Sequence, residues 1–166
     1  MKTLSHLDAE GRARMVDVSG KRVTLRSARA RAVVVLGKTA FRALDAAANR
    51  KGDALAVARL AGIQAAKRTA EWIPLCHSLA FDSVAVNLTP RAARLAVEIT
   101  AEVKGAGKTG YEMEALVAAT AAALALYDMC KAADKGIEIR EIALLEKTGG
   151  KSGSWRRGKA GKGSVS

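Results

Sequence analysis

Ser27-Ala28-Arg29-Ala30-Arg31-Ala32-Val33-Val34-Val35 is the stretch from which the layering of the chain can be read. Alanine alternates with serine and arginine before a run of valines, and this period of two predicts one long strand over residues 23–36. Gly37 ends it, and the Ala-rich residues 39–49 read as helix. Lys51-Gly52-Asp53 is a turn in which Asp53 can N-cap a second helix running to about Arg68. Pro74 holds Ile73 extended, so Ile73-Pro74-Leu75-Cys76-His77 must leave that helix. Val84, Val86 and Leu88, then Leu95, Val97 and Ile99, alternate with polar or small residues and predict a hairpin turning around Pro90. Residues 105–110 form a glycine-rich loop, 112–133 a long Ala-rich helix and 137–145 a last strand. The order strand, two helices, two strands, helix, strand predicts an α+β fold. Its economical form is a ferredoxin-like core, an antiparallel sheet with helices packed on one face. Residues 1–148 are expected to form a single catalytic domain, and 149–166 a flexible, basic Gly/Ser/Lys-rich tail.

Ala supplies much of the 49% apolar fraction, while aromatic residues make up 4%, so the core is thin and subunit association is a natural way to bury more surface. The formal charge is +12. Half of the excess lies beyond residue 146, where Lys147, Lys151, Arg156, Arg157, Lys159 and Lys162 meet no acid. Such a balance favours anionic partners. Cys76 and Cys130 are far apart and in no CxxC motif, which points away from disulfides and toward a reducing cytoplasm. No apolar run is expected to reach membrane-spanning length, no signal-peptide pattern opens the chain, and no membrane partner is expected.

Several short motifs could carry chemistry. Gly105-Ala106-Gly107-Lys108-Thr109 has the placement of a phosphate loop, but Glu102 stands where a P-loop needs its first glycine. What remains is a glycine-rich turn whose amides can hold an anion at a helix start. Thr109-Gly110-Tyr111-Glu112 reads as a capping box. Asp128 and Lys131, spaced i, i+3, share a helix face near its C-terminal end; the ordinary reading is a surface ion pair, although Tyr127, Met129 and Cys130 interleave with it. Lys51 precedes a helix N-terminus, which disfavours its ammonium form, whereas Asp128 and a helix C-terminus favour that of Lys131. If both line one site, Lys51 is the better base and Lys131 the better acid. His77 follows Cys76 without the further ligands a metal site needs, and reads as a structural or substrate-facing histidine. Gly149-Gly150-Lys151-Ser152-Gly153, with Lys147 before it, suits closure on phosphates.

The wording and order of these motifs are specific. Met15-Val16-Asp17-Val18-Ser19, Lys51-Gly52-Asp53, Ala61-Gly62-Ile63-Gln64-Ala65-Ala66-Lys67-Arg68-Thr69, Ile73-Pro74-Leu75-Cys76-His77 and Gly107-Lys108-Thr109-Gly110 resemble the cyclic pyranopterin monophosphate synthase family, that of molybdenum cofactor biosynthesis protein C. So do Glu112-Met113-Glu114-Ala115-Leu116, Tyr127-Asp128-Met129-Cys130-Lys131-Ala132 and Gly149-Gly150-Lys151-Ser152-Gly153. The resemblance spans about residues 4–153; Ser78 departs from it, where the family usually has proline.

The resemblance implies a lyase that converts 3′,8-cyclo-7,8-dihydroguanosine 5′-triphosphate to cyclic pyranopterin monophosphate and diphosphate. It also implies a homohexamer, a trimer of dimers with interface active sites. Asp128 matches the catalytic acid/base position, and Lys131 and Lys51 match essential lysines. Leu75, Cys76, His77, Met113 and Glu114 match substrate-contacting positions, and Arg26, Lys67, Glu112 and Lys147 match positions that line the pocket. No required metal is inferred; Mg²⁺ can accompany the triphosphate without protein ligands. The competing class is a basic nucleic-acid-binding module on the same fold, but the strands lack paired aromatics for base stacking, and no nucleic acid is expected as a partner. A non-catalytic assembly protein is argued against by the intact Lys51, His77, Glu114, Asp128 and Lys131 set.

Overall fold

The computed structural model describes residues 6–8, 10–45 and 53–158. In chain order these form β1 (Thr24–Val35), α1 (Gly37–Asp45), α2 (Ala54–Ala66), α3 (Thr69–Trp72), β2 (Ser83–Arg91), β3 (Ala96–Gly107), α4 (Glu112–Cys130), β4 (Glu138–Thr148) and β5 (Trp155–Arg156). The sheet order is β2-β3-β1-β4-β5, with every neighbour antiparallel. Its first four strands have the split β-α-β arrangement of a ferredoxin-like core.

The alternation in β1 sets the layers. Ala28, Ala30, Ala32 and Val34 are fully buried, as are Val97, Ile99, Ala101 and Val103 of β3, and all join one core with α4. Arg29 and Arg31 point to the other face, where they meet Glu146 at 3.3 Å and Glu141 at 2.7 Å on β4. These exposed pairs contribute a few tenths of a kcal/mol each, so the buried face carries the stability.

α4 lies between the sheet and α2 and is buried on more than one side. Its small residues allow close approach: a Cβ on Gly62 of α2 would stand 2.8 Å from the Ala118 carbonyl oxygen. Contrary to the sequence expectation, this helix is long and apolar enough to cross a membrane, yet most of it is enclosed in the core. A helix covered on most of its sides leaves little amphipathic period to read.

Asp53 caps α2 as expected, its carboxylate accepting from the Leu55 and Ala56 amides at 2.9 and 3.0 Å. The β2–β3 hairpin also forms, but its turn lies beyond Pro90. Pro90 pairs with Val97, and residues 92–95 make the reversal, with Leu95 left-handed at φ 48°. Proline is tolerated there because β2 is the outer strand and its free edge requires no N–H. Beyond β4 the chain turns at Gly149 and Gly150, both at positive φ, and returns to pair Trp155 with Lys147 and Arg156 with Glu146.

Candidate active site

The start of α4 is built around Tyr111, which is fully buried and donates from its hydroxyl to the Ala80 carbonyl at 3.0 Å. Gly105 and Gly107 make room for that phenol, since a Cβ on either would come within 2.7 or 3.0 Å of its oxygen. Phe81 meets the ring edge-on at 6.4 Å. Tyr111 thus pins the segment that follows His77 onto the β3–α4 turn. The capping box expected from Thr109 and Glu112 does not form: Tyr111 is the N-cap residue, without a side-chain cap. Glu112 instead accepts from Lys147 Nζ at 2.8 Å, a partner brought by β4 that outcompetes the local backbone amide.

Two cavities flank this turn and share Thr109, Gly110 and Glu112. The first, about 660 Å³, is mainly apolar and is lined by Ile73, Pro74, Leu75, Cys76, His77, Leu79 and Met113, with His6 and Ala13 from the N-terminal residues. The second, about 560 Å³, gathers Lys21, Arg26, Lys108, Lys147 and Lys151, with Glu112 as the one acid among the described residues that line it. Arg26 is fixed in place, donating from Nε to the Gly107 carbonyl at 2.9 Å and from Nη2 to that of Lys108 at 3.2 Å. Gly150 packs on the same guanidinium, where a Cβ would collide. Such a concentration of positive charge beside an apolar cleft suits a ring system carrying phosphates. Lys21 was not among the residues expected to line the site, and Lys108 was noted only as part of a turn. No local pattern marks Lys21; it reaches Lys108 because the start of β1 pairs with the end of β3, Thr24 opposite Gly107.

A third cavity of about 360 Å³ touches Lys67, Arg68, His77 and Glu114. Glu114 is 2% exposed; its Oε1 lies 3.9 Å from the Cys76 thiol, and its buried Oε2 has no hydrogen-bond partner among the described residues. Burial, reinforced by the charge of Glu112, pushes this carboxyl up to about 7. Burial and then the charge of Glu114 likewise raise the Cys76 thiol, which stays protonated as a donor. A carboxyl that titrates near neutrality can both give and take a proton. His77 Nε2 lies 2.9 Å from the Val16 carbonyl oxygen.

Asp128 and Lys131 stand at the other end of α4. Lys131 Nζ meets Asp128 Oδ1 at 2.6 Å, and this hydrogen bond and charge raise the lysine's pKa. Glu112 and Asp128 are sixteen positions apart on one helix, which at 1.5 Å per residue separates them by about 24 Å. One chain therefore brings Arg26, Lys67, Leu75, Cys76, His77, Glu112, Met113, Glu114 and Lys147 to the start of α4, and presents Asp128 and Lys131 far from them. Lys51 lies outside the described residues.

Residues 15–150 match the model of the MoaC family. A protein of Chloroflexus aggregans named cyclic pyranopterin monophosphate synthase is 56% identical over 154 residues, 93% of each chain. Proteins of the same name from Chloroflexus aurantiacus and a Methylobacterium species are 54% and 53% identical, over 93% of this chain and 94% and 97% of theirs. Motif order, fold and near full-length similarity agree, and the chain belongs to the MoaC family.

Proposed function

We propose that this protein is a cyclic pyranopterin monophosphate synthase acting in molybdenum cofactor biosynthesis. In this reading it is a phosphorus–oxygen lyase that converts 3′,8-cyclo-7,8-dihydroguanosine 5′-triphosphate to cyclic pyranopterin monophosphate and diphosphate. The name of its relatives supports the reading, and one observation carries it: an apolar cleft and a cationic cavity meet at Thr109, Gly110 and Glu112. A fused ring system fits the first, and a triphosphate is matched by Arg26, Lys108, Lys147 and Lys151 in the second.

Opening and reclosing the rings requires proton transfers in both directions. Asp128 keeps Lys131 charged as the acid, Lys51 is the base, and Glu114 and His77 hold the ring system. Closing the cyclic phosphate on the α-phosphorus expels diphosphate, an intramolecular displacement promoted by positioning and charge neutralisation. Because α4 separates Asp128 and Lys131 from the cavities by about 24 Å, a complete site takes the start of α4 from one subunit and its end from another. A homohexamer built as a trimer of dimers supplies that arrangement. Cytoplasmic residence and Mg²⁺ bound only through the triphosphate belong to the same reading.

Incubating the purified protein with the cyclic dihydroguanosine triphosphate should release one diphosphate per pterin formed. Absence of release from protein at micromolar concentration would remove the proposal.

A further inference from the structure

Residues 6–8 and 10–19 run as an arm outside the sheet, and their sequence explains its shape. The Asp8 carboxylate accepts from the amides of Glu10 at 3.0 Å and Arg12 at 2.8 Å, and from Arg12 Nε at 2.9 Å. Gly11, at φ 77°, supplies the left-handed residue of the reversal, and Leu7 pairs with Ala13 across it. This turn brings His6 into the wall of the apolar cleft that also contains His77.

The arm is fastened to the site at two points, and in each a site residue faces an arm carbonyl. His77 Nε2 lies 2.9 Å from the Val16 oxygen, and Lys108 Nζ donates to the Ser19 oxygen at 2.8 Å. A carbonyl can only accept. The first bond therefore requires a proton on Nε2, and a neutral imidazole held in this way keeps its lone pair on Nδ1.

We propose that the arm is a positioning element for His77. The Val16 carbonyl selects the Nε2–H tautomer, leaving Nδ1 to accept a hydrogen bond from a substrate N–H or O–H. Asp8 acts one step further back, by shaping the turn that carries Val16 to the ring. The inference rests on the proposed function only for the identity of the bound molecule; the tautomer is a property of the ligand-free protein.

The chain has two histidines, so full-length H6Q protein labelled with ¹⁵N-histidine reports on His77 alone. In its neutral form, followed at alkaline pH, His77 of H6Q is expected to show one tautomer, with Nε2 protonated and Nδ1 pyridine-like. H6Q/D8A is expected to show averaged tautomers while keeping the wild-type circular dichroism, because the arm lies outside the core. Gly11→Val in the H6Q background, which strains the same turn without touching Asp8, should act in the same direction. With the cyclic triphosphate as substrate, D8A alone should raise KM about tenfold, with kcat changing less. Averaged or Nδ1–H tautomers in H6Q overturn the inference, and so does an Nε2–H tautomer that neither D8A nor Gly11→Val disturbs. The expected tautomers in a protein that releases no diphosphate would sustain the inference and overturn the functional reading instead.

Discussion

Lys147 donates to Glu112 Oε1 at 2.8 Å and so joins the last long strand to the first turn of α4, at the wall shared by the cationic and apolar cavities. Both side chains are about one-third exposed, at 30% and 27%, so the pair is worth at most about 1 kcal/mol of stability. Its larger effect is on anion affinity. K147M should weaken binding of inorganic diphosphate about tenfold, whereas E112Q, which releases the ammonium, should tighten it a fewfold. Isothermal titration of the three proteins checks the opposite signs; equal losses in both variants would contradict the arrangement.

Glu114 makes stability depend on pH in a direction unusual for a carboxylate. Its pKa is raised from 4.5 to about 7 by burial. Between those values the folded chain holds a proton that the unfolded chain releases, so stability falls as pH rises through the window. E114Q removes this dependence and should gain on the wild type, between pH 5 and pH 8, by on the order of 3 kcal/mol. Urea unfolding of both proteins at the two pH values measures it, and parallel behaviour would refute the burial argument.

The Asp128–Lys131 pair is exposed, at 62% and 51%, so its loss should hardly move the unfolding midpoint. Under the proposed function, D128N should nevertheless lower kcat by about a thousandfold. A variant that retained activity within a fewfold would assign the pair to the helix surface alone.

If sites form between subunits, two inactive proteins should repair each other. H77A damages the site at the start of α4 and D128N the one at its end. Co-expressed, they should regain up to roughly a quarter of wild-type activity, the share of sites expected to receive two intact halves on random mixing. Co-expressed pairs that stay at the level of either variant would show that each site is built by one chain.

The fold was legible wherever a pattern was local. Ala28, Ala30 and Ala32 alternating with Arg29 and Arg31 gave β1 and its two faces, and Asp53 gave the start of α2. Errors arose where a distant partner decided the outcome. Glu112 left its expected cap for Lys147, and the Pro90 turn moved downstream because the outer strand could absorb the proline. The site was legible as a set of motifs but not as a shape. That Lys21 would join Arg26, and that Val16 would meet His77, follows only from strand pairing and loop docking. The division of the predicted set between the two ends of α4 was implicit in its numbering but unreadable until the helix was known to run unbroken.

That unbroken helix acts as a ruler. With small side chains on most sides and a neighbour pressed against its backbone at Gly62, α4 can trade alanine for other small residues without moving either end. It cannot change length. One residue inserted within it would rotate Asp128 by about 100° relative to Glu112 and displace it by about 1.5 Å. The composition of α4 is therefore open to variation, while its register is fixed.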